Sequence, residues 1–172
     1  MDILNRLLRH DAWTTRQLLL RCKELSHEQL HRRFDVGHET VYATIEHLIG
    51  NMEVWNNLMQ ERPVRQEAER VEHAVSIDEF IERLDEAAAD FEAFARKITD
   101  SGKLDGQFTD VLAVPPHKLT FGGTIAHLIT HSLTHRVEIL HMLQRLGLHN
   151  LPEGDVLSWE EQDSREREIG EF

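Results

Sequence analysis

Apolar residues at Ile3, Leu4, Leu7, Leu8, Ala12, Leu18 and Leu19 recur with the spacing of one helical face, which predicts an amphipathic helix from about Asp2 to Lys23. Ser26 followed by Gln29 has the form of a capping box and predicts a short turn of helix that fails between Phe34 and Gly37. A second long helix is expected from Glu39 or Thr40, because Val41, Ile45, Leu48, Met52, Trp55 and Met59 line a seam suited to packing against other helices. Pro63 and the charged run from Val64 to Glu72 end it and form a connection. Ser76 with Glu79 makes another capping box, and the segment beyond puts Phe80, Ile81, Leu84, Ala87, Ala88, Phe91, Phe94 and Ile98 on one face of a third helix.

The pattern breaks from Asp100 to Lys118, where Gly102, Gly106, Pro115 and Pro116 fall, and Phe108 to Val114 alternate as an irregular or weakly extended excursion. A fourth helix is expected from Thr120 or Phe121 to Gly147, a glycine placed as a left-handed C-terminal cap. Four long helices predict an all-α four-helix bundle with a long irregular connection between helices three and four. The chain reads as a single domain over residues 1–172, with a partly irregular acidic tail over 151–172. Pro152 and Gly154 interrupt that tail, Trp159 is its natural anchor, and its final ten residues are expected to fray.

Composition narrows the partners. With 40% hydrophobic and 29% charged residues the chain has the make-up of a globular protein, and 172 residues suffice for a full core. A formal net charge of -12 repels polyphosphate and acidic membrane surfaces, and the basic stretch His31, Arg32 and Arg33 is short and closed by Asp35. A nucleic-acid-binding regulator is therefore disfavoured, the more so without a basic recognition helix. The one cysteine, Cys22, cannot form an internal disulfide, and no secretory h-region opens the chain, so a cytoplasmic location is expected. Arg21 and Lys23 beside Cys22 can lower a thiol pKa, while a plain packed thiol is the competing expectation.

Twelve histidines is a high count, so only geometry selects among them. His127, His131 and His135 follow one another at intervals of four in TIAHLITHSLTHRVEIL, on neighbouring turns of one helix face. At about 100° per residue, each step of four turns the side chain by roughly 40°. Measured from the apolar stripe Ile125, Leu128, Ile139, Leu140, Leu143 and Leu146, His135 lies nearest the inward direction, His131 next and His127 furthest. Imidazoles at i and i+4 can chelate one ion, but two ligands rarely hold a metal against water. His47, between Ile45 and Leu48 at the border of the second-helix seam, is the best third donor, and His10 is a weaker one. The alternative is that these rings hydrogen-bond one another or water at a helix edge, with no ion.

Nearly the whole chain resembles the DinB family, the DinB/YfiT-like metalloenzymes. HDAWTTRQLL resembles that family's first helix, with Trp13 in its usual place. ETVYATIEHLIGNMEVWNNLM resembles its second, with a histidine and, eight residues later, a tryptophan. FGGTIAHLITHSLTHRVEILHMLQRLGL resembles its fourth, where a histidine, three residues and a histidine followed by arginine run to a leucine-glycine turn. Many members read HHRGQ where this chain reads THRVEI, so Thr134 replaces a histidine and Val137 a small residue.

The resemblance implies a bundle of unusual connection order, often dimeric, holding nickel, zinc or another divalent ion, with iron and manganese as further candidates. Its ligands carry over to His47, His131 and His135, with His127 a neighbour of the site and no ligand. Three neutral imidazoles leave a coordination position open for a water or a thiol, the arrangement of a catalytic centre. Characterised relatives include transferases and isomerases that use low-molecular-weight thiols such as mycothiol or bacillithiol. The expected function is thus metal-dependent activation of a thiol or water for transfer to a small electrophile, as in a thiol S-transferase or a hydrolase. The alternative is a non-catalytic, metal-binding, dimeric stress-response protein, in keeping with a family name that records induction by DNA damage. No catalytic side chain is identified; Glu46, Glu53 and Glu138 are each expected as solvated residues or as partners of the ligands.

Overall fold

In the computed structural model, which describes residues 1–64 and 75–170, the predicted long helices form. They are α1 (Ile3–Cys22), α3 (Val41–Met59), α4 (Ile77–Asp100) and α5 (Phe121–Arg145). Short α2 (His27–Leu30) follows α1, strands β1 (Gln107–Asp110) and β2 (His117–Thr120) separate α4 from α5, and α6 (Val156–Gly170) closes the chain. Both capping boxes form: Ser26 and Ser76 accept from the backbone N–H of Gln29 and Glu79, whose side chains reach back to the cap backbone. Thr40 and Thr120 cap α3 and α5 by accepting from the N–H of Ala43 and Gly123. Gly147 ends α5 with φ of 86°, which lets the Leu148 N–H turn back to the Leu143 carbonyl at 3.1 Å.

α1 packs on α4 and α5, and α3 packs on the same two helices, so α1 and α3 occupy one diagonal of the bundle and α4 and α5 the other. Both long connections follow from this. The chain leaving α1 must pass a neighbouring helix to reach α3, and the chain leaving α4 must cross to the opposite corner. The seam expected on α3 is buried at Val41, Ile45, Leu48, Met52 and Met59, and it meets Phe80, Leu84 and Phe91 of α4 and Ile125, Leu128, Ile139 and Leu143 of α5 in one core. Cys22 belongs to this core, and burial pushes its thiol up to about 12, so the packed thiol holds and the basic neighbours do not activate it.

The structure adds detail to three expectations. The excursion before α5 is a paired antiparallel hairpin, with Gln107 opposite Thr120 and Asp110 opposite His117. Its inward residue Phe108 is buried and stacks on Phe121 with ring centroids 5.5 Å apart, and that burial holds the ribbon on the bundle. The tail is irregular over residues 151–155 and its backbone is helical from Val156 to Gly170, with residues 171 and 172 outside the described residues. Trp159 anchors it, 2% exposed. Ile3, expected on the inward face, is 75% exposed, while Leu4 beside it packs against the core. Most of the charged run after Val64 lies outside the described residues.

One buried ion pair ties α5 to α1. The Arg136 guanidinium contacts the Asp11 carboxylate, and the same nitrogen donates to Thr15 Oγ1 at 3.2 Å, with 3% and 4% of the two charged side chains exposed. Burial pushes the Asp11 carboxyl above its usual range, against the pull of Arg136. Removing one partner strands the other charge in the core. Asp11→Ala is therefore expected to destabilise the protein by about 3–5 kcal/mol in urea unfolding, and a paired Asp11→Leu, Arg136→Met variant to recover most of the loss.

Candidate metal centre

The α3–α5 contact brings the predicted histidines together at one edge of the core. His47 comes from α3, and His131 and His135 come from successive turns of α5. His131 Nε2 lies 3.2 Å from His47 Nε2 and 3.1 Å from His135 Nε2. The His47 and His135 rings sit with centroids 4.8 Å apart and nearly perpendicular. His127 is exposed, as the helical ranking expects of the outermost of the three, while His131 and His135 are both partly buried, His135 with 11% of its side chain exposed. His127 instead borders the site, edge-on to Trp55 at 6.2 Å. His10 is elsewhere, donating from Nε2 to the Gly154 carbonyl at 2.8 Å beside Trp159, so it serves the docking of the tail.

A further histidine joins them. His38 stacks on His47 with centroids 3.9 Å apart and an interplanar angle of 27°, and its ring lies 5.4 Å from that of His135. His38, His47 and His135 each offer a ligand atom within 4.8 Å of the others, a group able to hold a metal ion. The loop that carries His38 is the crossing from α1 to α3, and it is built to lie on α5. Phe34 is buried, Asp35 pairs with Arg145, and Gly37, with φ of 58°, lies where a Cβ would come within 2.8 Å of Glu138 Oε2 and 3.2 Å of Met142 Cε. No helical period runs through this loop, so the spacing argument that found the other histidines had no hold on His38.

The surrounding polar groups orient the rings. His135 Nδ1 donates to Glu138 Oε2 at 2.6 Å, which leaves Nε2 as the bare nitrogen facing His131. The Asn51 side-chain nitrogen lies 3.2 Å and 3.3 Å from the two ring nitrogens of His131. Asn51 did not enter the sequence expectations, although it stands four residues after His47 on the same helix face. Glu53, partly exposed on the surface of α3, is held by Arg83 of α4, which donates to both its oxygens at 2.8 Å.

Helices arranged in this way around a cluster of facing histidines define a class, the helical bundle with a polyhistidine centre between two of its helices. The family model for the DinB superfamily matches residues 10–139, a span that holds His38, His47, His131 and His135, and the chain belongs to that superfamily. No curated protein matches the chain.

His131 stays neutral well into the acid range. Burial, followed by the positive charge that His135, His47, His127 and His38 would add, pushes it from 6.5 to about 4. The unfolded chain takes up this proton near 6.5 and the folded chain does not, so the stability His131 contributes is complete above 6.5 and is lost as the pH falls toward 4. The ring is partly solvated, which holds the effect well under the roughly 1.4 kcal/mol per pKa unit of a shielded group. Thermal unfolding of metal-free protein at neutral and acid pH is expected to show a smaller acid loss for His131→Gln than for the unaltered chain.

Proposed function

We propose that His47, His131 and His135 hold one divalent ion, nickel or zinc first, and that the protein is an enzyme activating a thiol or water for transfer to a small electrophilic substrate. The carrying observation is the pair of short separations at His131. Nitrogens each about 2.0–2.1 Å from a common ion lie roughly 2.9–3.4 Å apart for angles between 90° and 110°. The 3.2 Å and 3.1 Å separations at His131 fall in that range, and the His47 and His135 ligand atoms lie within 4.8 Å of each other. Nitrogen donors suit zinc and nickel, and also accept iron or manganese.

A bound ion would supply the acidity that brings a coordinated water or thiol to its anionic form near neutral pH. The chain's own groups prepare for it. Glu138 takes the Nδ1 proton of His135 and fixes which nitrogen points inward. The Asn51 side-chain nitrogen lies against both ring nitrogens of His131, so it packs on that ring from the His47 side of the site. The depressed pKa of His131 keeps its lone pair available at neutral pH. With Glu138 given to His135 and Glu53 to Arg83, a nucleophile brought in by the substrate or a thiol cofactor suits the site better than one generated by a side-chain base.

Protein purified without added metal is expected to carry close to one equivalent of divalent ion by elemental analysis. His131→Ala should lose it, and His127→Ala should keep it. Incubating the metal-loaded protein with a conjugable electrophile and a panel of low-molecular-weight thiols should yield a thioether with at least one of them. Metal retained in full by His131→Ala contradicts the ligand set, and bound metal without turnover of any thiol or of water leaves a metal-binding protein in place of an enzyme.

A further inference from the structure

We infer that His38 is a fourth protein ligand, which closes the position that the three helix-borne histidines leave open. The inference rests on the proposed centre and concerns a side chain outside its ligand set. Its geometric basis is the shared 4.8 Å limit on the ligand atoms of His38, His47 and His135, together with the His38 ring lying flat on that of His47. A tetrahedral site needs separations of roughly 3.3 Å, so His38, an exposed side chain beside His47 and His135, has to swing inward to share an ion with His131. Its backbone is already fixed at the required place.

That fixing is costly for the chain, and this is the second reason to assign the loop a task. Gly37 and Glu39 both adopt left-handed backbone, with φ of 58° and 65°, and Glu39 does so without being glycine. The Phe34 N–H donates to the Glu39 carbonyl at 2.6 Å, closing the loop on itself, and the His38 N–H donates to Thr44 Oγ1 at 3.3 Å. Gly37 rests against Glu138, the same carboxylate that orients His135. The loop and the ligand partner therefore share a contact, and His38 is held against His47 with His135 nearby. A loop that only had to join α1 to α3 would need neither left-handed residue nor a glycine at that contact.

With His38 as a fourth imidazole, a tetrahedral ion would carry no water, and a substrate donor would have to take the place of His38, the exposed and loop-borne side chain. The three helix-borne rings then stay as the permanent frame.

Cobalt-substituted protein tests this, because the visible bands of Co(II) distinguish four-coordinate from five- or six-coordinate sites. The unaltered chain should bind one equivalent with the intense bands of a four-coordinate site. His38→Ala should still bind one equivalent, with weakened and shifted bands, and its zinc affinity in chelator competition should fall by more than the roughly 10–100-fold that losing an orienting partner costs. His38→Cys should show a thiolate-to-cobalt charge-transfer band, which Cys22 in the core does not produce. Identical spectra and affinities for the unaltered chain and His38→Ala, with no charge-transfer band in His38→Cys, would overturn the assignment of His38 and leave the three-histidine centre standing. Failure of the unaltered chain to bind cobalt or zinc would overturn both.

Discussion

The packing of α3 against α5 is the constraint on which the candidate centre depends. His47 and the His131–His135 pair lie on separate stretches of chain, and only this helix pair brings their nitrogens to 3.2 Å and 3.1 Å. The contact is secured on both sides of the histidines. Ile45, Leu48 and Met52 on α3 and Leu128, Ile139 and Leu143 on α5 are each buried to within a few per cent. Arg136, next in the chain to His135, is clamped to Asp11 of α1 and sets the rotation of α5 about its own axis. Rotating α5 by one residue, about 100°, would carry both imidazoles out of the cluster.

The same bundle geometry explains why the site has a loop over it. Because α1 and α3 are diagonal, the connection between them must cross a helix, and it crosses α5 beside the histidines. His38 is thus a product of topology. The hairpin between α4 and α5 answers the other diagonal at the other end of α5, where Phe108 and Phe121 seal the ribbon and Trp55 meets both Phe108 and His127. Connections forced by the helix order end up lining the edge of the core where the polar cluster lies.

Much of this was legible from spacing alone. Capping boxes at Ser26 and Ser76, the threonine caps and Gly147 place the helix ends, because each marks a backbone group that the helix itself cannot satisfy. The outward position of His127 relative to His131 and His135 follows from the turn per residue. What spacing could not supply were contacts made between distant segments: the engagement of Glu53 by Arg83, the use of His10 by the tail and the placement of His38. Strand pairing in the hairpin was likewise hidden, since four-residue strands carry too short an alternation to separate from an irregular loop. Family resemblance pointed to the same three histidines that periodicity favoured, but it passed over the loop-borne fourth.

X-ray absorption at the zinc edge of the loaded protein tests the convergence of these rings most directly. Three or four nitrogen scatterers at about 2.0 Å, with the outer-shell signature of imidazole, are the result the account predicts. A shell of oxygen scatterers without imidazole, or a single imidazole per zinc, would contradict it.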